Sequence, residues 1–333
     1  MPNIREQIIG WSVQKQTDIS TMQTTVIRTN KLNEALYDPK PINEDDADEF
    51  GKGHEFGVNL FKSHMAPDPF PVEKYISSEM AAFAACFGLG KVTKTGAGPY
   101  NYVVTPLDFV TDGSELPYFT YYEQIRPGGS VVRDLAHIGC VLKSHRYTVN
   151  NGPGRQNAKM TMEFLSTGNV DETSGITAPA ALALNEISGG AITLTVIGVD
   201  YVTPKDLVSV EWGWDTEFIP GFYAGSGTSN GYQIQGRLEI RRRTPILRFV
   251  ARFKNGSAEL TKLLALTTGT AIVGMSRDAN NNLQYTYQKV GFRTAEIGST
   301  DEVVTVSVEA FGMHHASNGV LTVDIDSPLS VTI

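Results

Sequence analysis

Two periodicities divide the chain. Ile76, Met80, Phe83 and Phe87 recur at spacings of four, three and four, which predicts a helix over residues 73–87, opened by Pro71 and closed by Gly88. Leu260, Leu263, Leu264 and Thr267 form a second stripe, which predicts a helix over 257–268, opened by Asn255-Gly-Ser and stopped by Gly269. Elsewhere apolar and polar residues alternate. Tyr232, Ile234, Gly236, Leu238 and Ile240 stand against Gln233, Gln235, Arg237, Glu239 and Arg241, one dry face against one wet face. Val304, Val306, Val308 and Ala310 likewise share a face. Strands are predicted over 8–16, 55–62, 100–106, 118–125, 136–149, 159–166, 191–202, 207–219, 232–243, 246–253, 271–275, 283–297, 302–311 and 320–325. Asn150-Asn-Gly-Pro-Gly154 is a hairpin turn signal between two of them.

The fold class expected is mainly β. The order of elements repeats: an alternating strand, one helix closed by glycine, a long strand, a turn, and a shorter alternating strand. The closing hairpins begin at Lys143 and Lys289 and end at Gly168 and Gly312. Two tandem β-sandwich or barrel domains follow, each with one flanking α-helix: residues 1–170, with the helix at 73–87, and 171–333, with the helix at 257–268. The polar stretch 169–179 is the boundary. A single large sandwich is the other arrangement this order allows. A duplicated domain invites quasi-symmetric assembly, two places per chain and three chains for six places.

One segment resists both periodicities. Residues 38–53 centre on Asn43, Glu44, Asp45, Asp46, Ala47, Asp48 and Glu49, five acids among seven residues. Such a run repels itself and predicts a solvated loop.

At 333 residues the chain has room for about two domains. Hydrophobic residues make up 41% and charged residues 19%, enough apolar material for a packed core. Lysine and arginine number 28 against 36 acids, a formal charge of −8, which argues against tight binding to DNA over the average surface. Cys86 and Cys140 sit among apolar neighbours and read as buried free thiols. The first residues carry no apolar signal segment and no run approaches a membrane span, so a soluble protein made in the cytoplasm is expected.

Catalytic, cofactor and metal signals are weak. His314 and His315 are adjacent and point apart in extended backbone, which suits one ion poorly. Gly96-Ala-Gly98, Gly152-Pro-Gly154 and Gly225-Ser-Gly227 lack the phosphate-loop patterns and read as turns. Arg241, Arg242 and Arg243 alternate sides, so they form a poor phosphate patch. Asp215 and Glu217 share a strand face without other catalytic support. No catalytic, cofactor or metal residue is assigned, and an enzyme is not expected.

Several segments, taken in order, resemble a known family. They are Ile9-Gly-Trp-Ser-Val-Gln-Lys-Gln-Thr, Phe119-Thr-Tyr-Tyr-Glu-Gln-Ile, His137-Ile-Gly-Cys-Val-Leu-Lys-Ser-His-Arg-Tyr-Thr-Val149 with the strand at 159–168, Asp206-Leu-Val-Ser-Val-Glu-Trp, and Gln233-Ile-Gln-Gly-Arg-Leu-Glu-Ile240. The set resembles the tail tube proteins of long-tailed bacteriophages that carry two tandem tube domains in one chain. The resemblance implies tail-tube-type sandwich or barrel domains, homotrimeric pseudo-hexameric rings stacked into a hollow tube, and a virion-tail location after assembly in the host cytoplasm. It implies contacts with the tape measure inside the lumen, the tail tip and the tail terminator, and genomic DNA passing without tight binding, with no membrane partner. Loops grip the next ring in that family, so Asn43, Glu44, Asp45, Asp46, Asp48 and Glu49 are the candidate inter-ring contact. Two other readings stand beside it: a carbohydrate-binding β-sandwich using Trp11, Trp212 or Trp214, and a baseplate or tail-terminator ring protein of related fold.

Overall fold

The computed structural model describes residues 5–29, 40–45, 60–66, 69–108, 110–127, 131, 133–150, 158–172, 181–203, 206–223, 227–253, 258–300, 303–316 and 319–333. The first half contains β1 Arg5–Ser12, β2 Val26–Thr29, β3 Lys40–Asp45, β4 Leu60–Ala66, β5 Pro69–Tyr75, α1 Ser78–Leu89, β6 Gly90–Thr95, β7 Tyr100–Pro106, β8 Phe119–Pro127, β9 Arg133–Asn150 and β10 Ala158–Asp171. The second half contains β11 Ile192–Val196, β12 Val199–Asp200, β13 Leu207–Gly221, β14 Thr228–Ser229, β15 Tyr232–Gln233, β16 Arg237–Arg252, α2 Glu259–Leu264, β17 Thr268–Asp278, β18 Asn281–Thr300, β19 Val303–Gly312 and β20 Leu321–Ser327. The mainly β class expected from the alternation is what the chain adopts.

Among the described residues, sixteen of these strands form one branched sheet. Its main path runs β12-β11-β17-β18-β19-β16-β13-β9-β8-β1-β2, and β10, β5, β20, β7 and β6 pair off it. A small sheet of β14, β15, β4 and β3 stands apart. Strand pairing crosses position 170/171 twice in the large sheet, and β15 beside β4 crosses it again in the small one. β13 joins β9 through Trp212 opposite Tyr147, and β20 joins β7 through Ile325 opposite Tyr102. One apolar core follows the sheet across both halves, from Trp11, Phe83 and Phe164 to Trp212, Phe249 and Tyr285.

Where the halves meet, the core is aromatic. The Tyr147 ring stacks on Trp212 with centroids 5.2 Å apart, and the Tyr285 hydroxyl lies 3.1 Å from that of Tyr147. Tyr287 donates its hydroxyl to the Ile246 carbonyl at 2.6 Å and accepts the Gly213 amide at 3.1 Å. Buried phenols thus find partners inside the core, as buried polar groups must.

The first helix begins later than the periodicity predicts. Residues 69–75 alternate exposed and buried positions and pair with β10, Phe70 opposite Phe164 and Val72 opposite Met162. The helix starts at Ser78 because Ser77 caps it, its Oγ accepting the Met80 amide at 3.3 Å. Gly88 lies inside, and Gly90 at φ 89° ends the helix, where only glycine sits without strain. All twelve residues of α1 are buried, so it has no wet face for a stripe to reveal. Burying Phe83 or Phe87 in this way stabilises the fold by about 1.5–3 kcal/mol each.

Other expectations need correction. Part of the acidic segment is a strand: Lys40–Asp45 pairs with β4, Glu44 opposite Phe61. Pairing satisfies its backbone while Asn43 and Glu44 keep exposed side chains, so wetness did not require a loop. Strand β10 runs past Gly168 to Asp171, turning at that glycine where φ is 87°. The second helix is short, Glu259–Leu264. Leu264 is 84% exposed, and the buried residue of its first turn is Glu259, which accepts the Tyr201 hydroxyl at 2.9 Å. Residues 254–257 and 151–157, which hold the expected helix opening and most of the hairpin turn, lie outside the described residues.

Candidate functional site

Alternation along β13 sends Val210, Trp212 and Trp214 into the core and leaves Glu211 and Asp215 on the opposite face. The same split along β9, β16 and β19 puts Arg146, Arg248 and Glu309 on that wet face. Register then brings these residues together. Glu211 stands opposite Arg248, and Arg248 opposite Glu309. Arg146 stands opposite Gly213, between Glu211 and Asp215.

A row of ion pairs results, alternating strand by strand. Arg146 lies 3.3 Å from Asp215 and 3.7 Å from Glu211. Arg248 lies 3.6 Å from Glu211 and 3.4 Å from Glu309. Arg293, on β18, lies 3.7 Å from Glu309 and packs its guanidinium over Phe311 at 4.7 Å. On the other side of β9, Lys143 meets Glu163 of β10 at 3.1 Å. The residues are partly exposed, so each pair contributes about 0.2–1 kcal/mol at most.

The two long hairpins match in register. In β9–β10 the pairing shifts between Glu163 and Phe164, leaving Lys143 in the bulge. In β18–β19 it shifts at Phe292 and Thr294, opposite Ala310 and Glu309, leaving Arg293 in the bulge. Each bulge holds a cation paired with a glutamate of the facing strand. A third strand flanks each hairpin in matching register, β5 beside β10 and β16 beside β19. The match aligns Lys143 with Arg293, whereas the sequence comparison placed Lys143 against Lys289.

The hairpins differ in what covers their outer edge. Residues 144–150 of β9 pair with 209–215 of β13. In β18, residues 294–300 pair with β19 on one side, and among the described residues no strand pairs with them on the other. Ile297 is exposed on this stretch of β18, and Val303 and Val304 are exposed on β19, which pairs with its other side.

The residues singled out from sequence are scattered. Asn43 accepts the Tyr232 hydroxyl at 3.0 Å and Glu44 accepts the Ser63 hydroxyl at 2.7 Å, both in the small sheet. Asp45 is the last residue of β3; Asp46, Asp48 and Glu49 lie outside the described residues. Trp11, Trp212 and Trp214 are buried in the core and offer no ring to a sugar. Arg241 pairs with Glu217 at 3.0 Å, and Arg243 donates to the Leu107 carbonyl at 2.6 Å. Asp215 and Glu217 thus each face a guanidinium. Among the described residues no group of three or more His, Cys, Asp or Glu could hold a metal, and no helix is long and apolar enough to cross a membrane. Sequence reasoning missed Arg146, Glu211, Arg248, Glu309 and Arg293. Their signal is charge at alternate positions of apolar strands, which means little until register sets the strands side by side.

Buried titratable groups lie off this face. Burial pushes His145 down to about 3, and burial beside Arg133 pushes His137 down to about 3. Cys86 and Cys140 are free thiols with no exposure; burial pushes Cys140 up to about 12 and raises Cys86 further. These groups are held neutral and inert, and the chemistry available to the wet face is charge pairing and strand pairing. No protein family model and no curated protein matches the sequence.

Proposed function

We propose that this chain is the major tail tube subunit of a long-tailed bacteriophage. Three copies form a ring, and rings stack into the hollow tube through which DNA is ejected. The observation that carries this reading is the open edge of β18. The matching edge of β9 is covered by β13, so a second copy of the chain is the natural source of the strand that β18 lacks. An uncovered edge on a strand that also exposes Ile297 is a liability that assembly removes. The ion-pair row also ends there on a cation, Arg293, where the next strand of a neighbour can add an acid as β13 adds Glu211 beside Arg146.

On this reading the two hairpins with their third strands are copies of one tube domain, and residues 1–170 and 171–333 are its tandem occurrences. Two places per chain and three chains fill six places around the ring. Strands β8, β1 and β2 continue the sheet beyond β9 as β17, β11 and β12 continue it beyond β18, in keeping with two copies of one domain. The copies are unequal, with twelve residues in α1 and six in α2, so the ring is three-fold on its outside. The protein's partners are its own copies, the tape measure, the tail tip, the terminator and passing DNA. The segment from Asn43 to Glu49 contacts the adjacent ring. The protein is assembled in the host cytoplasm and ends in the virion tail.

Electron microscopy of the purified protein tests this. Rings or tubes with a central hole are expected, and Ile297→Asp should abolish them without changing the melting temperature. A particle that stays monomeric at high concentration, from a phage whose virions show no tube of this chain, overturns the reading. One ring per virion rather than many would assign the chain to the baseplate or terminator instead.

A further inference from the structure

The row of ion pairs has a composition unlike the rest of the chain. Lys143, Arg146, Arg248 and Arg293 face Glu163, Glu211, Asp215 and Glu309 in equal numbers, within a sequence that carries 28 basic and 36 acidic residues. Cations stand on β9, β16 and β18, and the intervening strands β13 and β19 carry the acids. At a strand spacing of about 4.8 Å, neighbouring arginines lie about 10 Å apart across the sheet. Their side chains are 39%, 53% and 52% exposed for Arg146, Arg248 and Arg293, so a phosphate can reach each one.

We infer that this row is a masked phosphate track: arginines placed to meet the backbone of passing DNA, each held by a carboxylate so that no phosphate is retained. The inference rests on the tube reading, in which the wet face of the central sheet lines the bore. A bare arginine row would gain affinity by releasing the counterions condensed on DNA. Here a carboxylate already occupies each cation, and a phosphate gains only the difference between two exposed, exchangeable pairs. Lys143–Glu163 and Arg293–Glu309 occupy matching bulges, so three chains would set six such pairs around the bore. Such a surface has cations to lower the repulsion of a polyanion and no net positive charge to stop it.

Removing the carboxylates should convert the track into a DNA-binding surface. Glu211→Gln with Glu309→Gln strips Arg248 of both partners and Arg293 of its glutamate. Asp112→Asn with Glu115→Gln removes the same number of acids, beside Lys91 and Arg237, away from the row. Binding of a short fluorescent DNA duplex is measured by anisotropy over a salt series, with the full chain below its assembly concentration. The row variant should bind about tenfold tighter than the unsubstituted protein, with a log–log salt slope steeper by about two. The control variant should not gain. If the row variant binds no tighter than the control, the masking is overturned. Glu309→Gln alone, which strips Arg293, serves if the double variant does not fold. Particle size of the same proteins, concentrated above that range, keeps the two ideas apart: particles that stay monomeric there with a masked row would sink only the tube, and rings without a gain in DNA binding would sink only the mask.

Discussion

Gly213 approaches His145 so closely that a Cβ built on it would stand 2.1 Å from the His145 carbonyl oxygen. The two residues sit at the seam between β13 and β9, where the halves of the sheet join, and Gly213 has a φ of 148°. The seam is therefore held at a separation that only glycine permits.

Gly213→Ala should part the seam. The strands must move, the Tyr287 hydroxyl loses its bond to the Gly213 amide, and the residue is strained at that φ. A loss of about 2–4 kcal/mol is expected from chemical denaturation. A loss within about 0.5 kcal/mol, the range of an indifferent surface change, would show that the seam is not closely fitted.

His145 should make stability fall in mild acid. Its folded value is depressed to about 3 by burial, against 6.5 for the free side chain. Between those values the unfolded chain takes up a proton that the folded chain refuses. Stability is thus whole above about 6.5 and is lost as the pH falls toward 3, at about 1.4 kcal/mol per pH unit for each such histidine. His137 acts with the same sign. His145→Phe should lose less melting temperature between pH 7 and pH 5 than the unsubstituted protein. An unchanged pH dependence would remove His145 from this account.

The two thiols should be silent in the native protein. Cys86 and Cys140 have no exposed surface, and burial raises both above the usual thiol range. A disulfide-exchange reagent should find no fast thiol in buffer and two in denaturant. A fast native thiol would mean that α1 or β9 opens readily.

The sequence made the elements legible where one face is dry and the other wet. Val306 to Ala310 alternates cleanly within one strand of the sheet. The stretch from Tyr232 to Arg241 is instead split between two strands in different sheets, with Gln235 buried although the alternation counts it among the wet positions. The sequence also misled where that contrast is missing. The first helix is buried all round, so Ile76 and Phe87 could be joined into a stripe that began in a neighbouring strand. The acidic segment shows the reverse, since five like charges hid a strand whose backbone is paired although its side chains stay wet. The ion-pair row was invisible for a third reason. Glu211, Arg248 and Glu309 are far apart in the chain, and only strand order places them side by side. The candidate edge depended on the same information, because an unpaired strand reads no differently from a paired one.

The pairing of β20 with β7 has a consequence for synthesis. Ile325 must meet Tyr102, and the Thr332 amide must reach the Val13 carbonyl at 2.9 Å. A ribosome that has delivered the first half has delivered a sheet still missing one of its own strands, and α1, covered by β9, β7 and β6, waits with the side that β20 packs against still open. Closure of this kind is late and long-range, which slows folding and leaves apolar surface open during translation. A nascent chain stalled before Leu321 should therefore be the form that chaperones hold, while one carried through Ile333 releases itself.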